Sequence, residues 1–188
     1  MANRNTQGFG LVPAGTLGQT PATSGTGKYK IDAGYSTTIF QGGAVSSSAG
    51  YIVEGQGTAD NPMVGVLNGI FYNAATTLKP TFSNHYVQVT PANSEDIDAF
   101  VFDNPQQQYV VATDDSVAQS GYLETYDMNT SAGSTTTGKS SATLDIGDTS
   151  ADAASFRLLR SAEDPENEDL TAAGANIIVT IAKDAKLY

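Results

Sequence analysis

The sequence has no cysteine, no tryptophan and a single histidine among its 188 residues. Without cysteine, neither disulfides nor thiolate metal sites can stabilise the fold, which must depend on apolar packing and strand pairing. The apolar runs fall short of the roughly 20 residues that a transmembrane helix needs. Gly10 and Pro13 also interrupt the longest N-terminal apolar run, which argues against a secretory signal peptide. We therefore expect a soluble protein.

Positive charge is also scarce. Nine basic residues face twenty acidic ones, so the net charge is −11 at pH 7. A surface with this balance repels phosphate backbones and anionic lipid headgroups. The composition therefore predicts that neither nucleic acid nor a membrane is a partner.

Residue patterns typical of enzymes are missing as well. His85 lacks an oriented partner in the sequence, so we interpret it as a turn or strand-end histidine bonded to backbone or water. The acidic stretch 163–169 lacks the central glycine and terminal glutamate of a calcium loop, which favours a solvated loop. No Gly-x-Ser-x-Gly motif supplies a nucleophile. We predict no catalytic residue, no metal site and no cofactor, and hence a protein that is not an enzyme.

What the chain does have is a period of two in its apolar residues, with Gly, Asn, Asp and Pro between short β-branched and aromatic runs. This pattern predicts an all-β antiparallel fold, a barrel or sandwich with a second β portion and little helix. The predicted strands are Tyr29–Ile31, Tyr35–Phe40, Tyr51–Glu54, Met63–Tyr72, Tyr86–Thr90, Ile97–Phe102, Gln108–Thr113, Gly121–Tyr126, Phe156–Arg160 and Asn176–Ala182. The predicted core consists of Ile39, Val64, Val66, Ile70, Val87, Val89, Val101, Leu158, Ile177, Val179 and Ile181.

Three further features follow from the pattern. Gly65 and Gly69 interrupt a long strand, which predicts a bend with a bulge or a close backbone crossing. Branched residues on both faces of 177–181 predict that the C-terminal strand is central or covered. The Ser-, Thr-, Gly- and Ala-rich stretch 129–152 predicts a long loop or a weakly packed edge.

The first 27 residues differ from the rest, because Arg4 is their only charged residue and Gly, Thr, Ala, Ser, Gln and Pro dominate. Such a segment cannot bury a core of its own. We interpret residues 1–27 as an extended arm outside the body, followed by β portions at 28–94 and 95–188. The alternative is an arm that folds back on its own body. The residues expected to anchor the arm to a partner are Phe9, Leu11, Val12 and Leu17.

Five segments carry a resemblance to a known group of proteins. They are GYSTTIFQGGAV at Gly34–Val45, MVGVLNGIFY at Met63–Tyr72, FVFDNPQQQYVV at Phe100–Val111, and the closing stretches ATLDIGDTSADAASFRLLRSAEDPENED and ANIIVTIAKDAKLY. Together they resemble the capsid decoration, or cement, proteins of tailed phages, including head structural proteins of marine podoviruses.

The resemblance implies a virion protein on the outer surface of an icosahedral capsid, where it bridges neighbouring major capsid protein subunits. It also implies a homo-oligomer, a trimer or dimer, and it carries over no catalytic residue. The arm would lie across capsid subunits or add a strand to an exposed sheet edge. An alternative is a receptor- or glycan-binding β domain of a tail or fibre, favoured by the tyrosines and the Ser/Thr-rich stretch Thr130–Ser141.

Overall fold

The structure, a computed structural model, describes residues 3–18, 25–55, 62–129, 133–147 and 155–182. It is nearly all β, with 47% strand and 4% helix, the latter as two 3₁₀ turns, Ala92–Ser94 and Gln119–Gly121. Neither of these described helices is long or apolar enough to cross a membrane. The strands are β1 (Val12–Thr16), β2 (Gly27–Ile31), β3 (Ala44–Ser48), β4 (Tyr51–Glu54), β5 (Met63–Asn73), β6 (Pro80–Ser83), β7 (Ile97–Phe102), β8 (Gln107–Ala112), β9 (Thr125–Asn129), β10 (Thr143–Asp145), β11 (Phe156–Ser161) and β12 (Asn176–Ile181).

The strands form two antiparallel sheets of six strands each. Sheet I has the order β1-β8-β12-β11-β9-β10, and sheet II has the order β2-β7-β5-β3-β4, with β6 paired to the second half of β5. The described strands leave both sheets open, so the fold is a sandwich and not a closed barrel. The predicted all-β antiparallel class is thus confirmed, and so is the central position of the C-terminal strand, since β12 lies between β8 and β11.

Most predicted strands appear where the period of two indicated them. The strands β2, β4, β5, β7, β8, β11 and β12 match their predicted counterparts to within two residues at either end. In β7, fully buried and partly buried residues alternate, as the pleat requires when one face is more deeply buried, whereas β12 is buried at successive positions on both faces.

Three predicted strands need correction. Residues 35–40 and 86–90 are not strands, and their only ladder contact is an isolated bridge between Ile39 and Tyr86. Residues 119–121 form a 3₁₀ turn, so the strand predicted from Gly121 begins at Thr125. In the first two segments the backbone is irregular, but apolar side chains still pack in the core. The side chains of Ile39 and Tyr86 are almost fully buried, and this burial accounts for the apolar pattern.

Two hydrophobic clusters make up the interior. The first lies between the sheets and joins Tyr109, Val111, Phe156, Leu158 and Val179 of sheet I to residues of β3 and β5. The second lies on the opposite face of sheet II and includes Ile31, Val45, Leu67, Ile97 and Val101. Nine of the eleven predicted core residues are buried; the exceptions are Val87, which is 39% exposed, and Val89, which is only partly buried.

The N-terminal segment is part of the body, which corrects the expectation of an arm outside it for residues 3–18. Strand β1 pairs with β8 at the edge of sheet I, and the Leu11 amide donates to the Gly42 carbonyl at 2.8 Å. Before β1, the Asn3 side chain donates to the carbonyls of Asp169 and Ala173, and Asn167 donates to the Asn5 carbonyl at 2.7 Å. These bonds give backbone groups of the segment and of residues 167–173 their partners within the chain.

The boundary predicted at residues 94 and 95 does not coincide with the boundary between the sheets. Strand β7 follows that position in sequence but lies inside sheet II, between β2 and β5. The next strand, β8, belongs to sheet I, so the turn 103–106 carries the chain from one sheet to the other.

Candidate binding surface

Strand β5 contains the irregularity that the sequence indicated at Gly65 and Gly69. Its register against β7 shifts between Leu67 and Gly69, which places a bulge at Asn68. A Cβ atom at Gly65 would overlap the Phe102 carbonyl oxygen, so only glycine permits the close approach of β5 and β7 there. The predicted bulge and close backbone crossing are therefore confirmed.

Beyond the bulge, three phenylalanines form a surface that we call the aromatic face: Phe82, which is exposed, and Phe71 and Phe100, which are partly buried. Phe71 on β5 pairs directly with Phe82 on β6, and Phe100 on β7 pairs with Gly69. The rings of Phe82 and Phe100 lie 6.4 Å apart, centroid to centroid, and Phe82 is 63% exposed. Because Gly69 has no side chain, the Phe82 ring can cross β5 towards Phe100.

A groove of about 410 Å³ adjoins this face. Its apolar lining comes from the N-terminal segment, through Phe9, Leu11, Val12 and Pro13, and from sheet II, through Leu67 and Phe102. Phe102 lies two residues after Phe100 and therefore on the same side of the sheet. The groove and the aromatic face therefore lie on the same side of sheet II, and we call the combined surface the apolar strip.

Polar groups line one side of the groove. Gln41 donates through its side-chain amide to the Asn68 carbonyl at 3.1 Å, and both residues line the groove. Asn84, which lies outside the lining, donates to Gln41 Oε1 at 3.4 Å. The exposed Lys139 completes this side. Gln41 and Lys139 are held there by a parallel bridge between their backbones. The groove therefore offers amide groups and one ammonium group next to phenyl rings.

An ion-paired triad borders the aromatic face on β2 and β7. Lys28 Nζ lies 2.7 Å from one Asp98 carboxylate oxygen, and Lys30 Nζ lies 2.6 Å from the other. Burial alone raises the pKa of Asp98, but the bonds from both lysines outweigh it, so its pKa falls below the ordinary value. The hydrogen bond to Asp98 raises the pKa of Lys30.

The four predicted anchors have different environments. Leu11 is 1% exposed and packs in the first hydrophobic cluster, so it is not accessible to a partner in this conformation. Phe9 is partly buried, whereas Val12 and Leu17 are 47% and 41% exposed. Phe9, Leu11 and Val12 lie together along the groove, while Leu17 is not part of its lining.

The titratable groups singled out in the sequence are engaged in local structure. His85 Nδ1 lies 2.9 Å from Asn84 Oδ1, its ring stacks on Phe40, and the neighbouring Ser83 hydroxyl donates to the His85 carbonyl. The same hydroxyl also lies 3.4 Å from His85 Nδ1, a longer contact than the one to the carbonyl. Within the ranges that the structure describes, no three His, Asp or Glu side chains are grouped to hold a metal ion.

Several of the tyrosines are core residues. Tyr86, Tyr109 and Tyr126 are buried, and each hydroxyl donates to a backbone carbonyl, those of Tyr35, Phe102 and Gly121 respectively. This is the packing role typical of tyrosine in β proteins. These three tyrosines therefore do not form a surface for sugars or bases.

The aromatic face was not among the predicted site residues, although the sequence contains a signal for it. In the run from Ala99 to Phe102, Ala99 and Val101 were assignable to the core by alternation, which puts Phe100 and Phe102 on the opposite face. Phe82 gave no comparable signal, because its exposure depends on the pairing of β6 with the far half of β5. No protein-family model, curated protein or solved structure matches this chain.

Proposed function

We propose that this chain is a virion structural protein that decorates the outer surface of an icosahedral phage capsid and stabilises it by bridging major capsid protein subunits. The observation that carries the proposal is the apolar strip, a set of exposed and partly exposed phenyl rings on one side of sheet II of an acidic protein. Contiguous exposed apolar surface is typical of protein contact sites. The resemblance of the sequence to phage decoration proteins supports the choice of partner.

The apolar strip would attach the protein by burying phenyl rings against the shell. Apolar burial contributes about 25 cal/mol for each Å² removed from water, so a strip of this kind favours attachment without covalent chemistry. A molecule that bridges two subunits gains further from effective concentration, because its second contact is intramolecular. The acidic remainder of the surface would keep the protein away from packaged DNA.

The N-terminal segment has a different part in this proposal from the one expected of a free arm. Its strand β1 completes sheet I, and Leu11 fixes it to the core. Phe9 and Val12 then remain at the groove as contact residues. A trimer or dimer stays part of the proposal on the basis of the resemblance alone.

Copy number in the virion tests this function. Quantitative mass spectrometry of virions purified from the native source would measure the ratio of this chain to the major capsid protein. We expect a near-stoichiometric ratio, with hundreds of copies per particle. A few copies per particle would contradict decoration and indicate a tail or fibre component, and absence from the particle would contradict any virion role.

The second candidate, a receptor- or glycan-binding domain of a tail or fibre, is favoured by the groove. Side-chain amides beside phenyl rings, as at Asn68 and Phe102, are a combination that also suits sugar hydroxyls and sugar faces. Glycan-array binding that Phe102→Ala abolishes, together with low virion copy number, would support this candidate over decoration.

A further inference from the structure

The basic residues of this acidic protein are concentrated around the apolar strip. In the ranges that the structure describes, four of the seven basic residues border it. Lys28 pairs directly across from Phe100, Lys30 lies two pairs further along β2 opposite Asp98, and Lys139 lines the groove. Lys79 lies in the hairpin that joins β5 to β6, beside the exposed Leu78. The remaining three are Arg4, Arg157 and Arg160.

Only the carboxylate of the triad is buried, so the outer surface of the triad is cationic. The side chain of Asp98 is only 14% exposed, whereas those of Lys28 and Lys30 are 60% and 51% exposed. A partner that approaches the aromatic face therefore meets two ammonium groups before it meets the carboxylate. One carboxylate also cannot neutralise two lysines, so the triad keeps a net positive charge.

Acidic groups lie beyond these lysines, at the start of β7. Glu95 and Asp96 precede β7 and act on Lys30, where they help to raise its pKa, and Asp96 also accepts a hydrogen bond from Tyr51. They are at the opposite end of β7 from Phe102 and the groove. The positive border is therefore formed by Lys28, Lys79 and Lys139, with Lys30 at its limit.

We propose that the apolar strip docks on an acidic protein surface, where phenyl rings cover an apolar centre and the bordering lysines pair with carboxylates of the partner. The inference rests on the proposed function for the identity of that partner, the capsid shell. Charges at the edge of an interface guide encounter and select the partner, while the apolar centre supplies most of the affinity.

Charge also indicates that the partner of the apolar strip is a different protein and not a second copy of this chain. A symmetric dimer through this strip would bring one lysine-bearing border against another, and like charges that face each other across an interface disfavour association. The complementary surface is therefore one that carries carboxylates around an apolar patch.

Cosedimentation of the purified chain with shells that lack it tests the inference. The charge variant is Lys79→Glu with Lys139→Glu, and its control is Arg157→Glu with Arg160→Glu, which changes the net charge equally on sheet I. We expect about tenfold weaker binding for the first pair and near wild-type binding for the control. Wild-type binding should also weaken between about 0.05 M and about 0.5 M salt, because salt screens exposed charges.

An apolar variant, Phe82→Ala, tests the centre of the strip and should weaken binding by about tenfold or more. Because Phe82 is 63% exposed, its truncation should leave folding intact, which thermal unfolding followed by circular dichroism verifies.

If the wild-type chain binds shells and every variant binds equally, the inference is wrong and the proposed function stands. If the wild-type chain does not bind shells, the proposed function fails and the shell is overturned as the partner. If light scattering shows dimers that Phe82→Ala dissociates, the occupant is a second copy and the inference is overturned.

Discussion

Gly69 shows how the lack of one side chain shapes the candidate surface. A Cβ atom at this position would lie 2.8 Å from Phe82 Cζ and 2.9 Å from the Ser83 carbonyl oxygen. The ring could rotate away, but the carbonyl belongs to the paired backbone of β6 and cannot move without loss of strand pairing. Any side chain at 69 therefore separates β6 from β5 or displaces Phe82 from Phe100.

The substitution Gly69→Ala should lower the free energy of unfolding by about 1–3 kcal/mol, the usual effect of overpacking a filled site. Equilibrium urea unfolding measures this change. Gly147→Ala is the matched control, because the nearest atom to its added Cβ, Asp145 Oδ1, is 3.4 Å away. Equal stability of the two variants would show that β6 adjusts freely and does not hold Phe82 in place.

Asp98 links stability to pH at the border of the aromatic face. Its pKa in the folded protein lies below the ordinary value of about 3.9, so the triad stabilises the protein above that pH. The contribution is lost as the pH falls below about 4 through the folded-state pKa. We expect Asp98→Asn to cost about 1 kcal/mol or less at pH 7, since both lysines are largely exposed, and to cost nothing at the acid limit.

Urea unfolding of wild type and Asp98→Asn at a series of pH values from neutral to strongly acidic measures this difference. Glu168→Gln removes the same charge from an exposed position and serves as the control. A stability difference that persists unchanged below the folded-state pKa would contradict the role assigned to the ion pairs.

At the scale of elements, the sequence predicted strands best where a period of two was long and uninterrupted. The strands that it missed are short or unusual in composition: β1 contains Pro13 and Gly15, three of the five residues of β3 are serine, β6 has four residues and begins with Pro80, and β10 has three residues. Their pairing is decided by neighbours far away in sequence, such as β8 for β1. Residues 129–152 were predicted as a loop or weakly packed edge; β10 is an edge strand of sheet I, but its Leu144 is fully buried.

The N-terminal segment separates two kinds of predicted anchor. Leu11 lies in the first hydrophobic cluster, while Leu17 is 41% exposed at the end of β1. We expect Leu11→Ala to lower the free energy of unfolding by about 2–5 kcal/mol, because it leaves a cavity in the core. Leu17→Ala should change it by less than about 0.5 kcal/mol, as is usual for an exposed side chain.

Chemical unfolding of the two leucine variants distinguishes a segment that belongs to the fold from an arm that is ordered only by a partner. If Leu11→Ala has no larger effect than Leu17→Ala, the segment contributes little to the isolated protein. The original expectation of an arm outside the body would then apply in solution.

For the whole molecule, the way the chain crosses between the sheets was the least predictable feature. A local pattern reports whether a residue is buried but not which sheet buries it. The sequence therefore gave no sign that Met63 and Val66 of β5 pack with residues of sheet I in the core between the sheets. The candidate site was only partly predictable, because local patterns do not report which strands pair. Phe9 and Val12 were selected as anchors from the sequence, but their position beside Phe102 depends on the pairing of β1 with β8.

A fragment that ends at the predicted boundary tests this integration. Residues 28–94 retain β3 to β6 and most of β2, but they lack β7, which lies between β2 and β5 and supplies Ile97, Ala99 and Val101 to the second cluster. Without β7, β2 has no partner in its ladder and the apolar faces of its neighbours are exposed to water. We therefore expect the fragment to be unfolded, with poorly dispersed amide signals in its NMR spectrum, whereas the full chain unfolds in one cooperative transition. Because both clusters draw on sheet II, loss of one should destabilise the other. Cooperative unfolding of the isolated 28–94 fragment would instead show that this portion is an independent domain and that β7 only extends it.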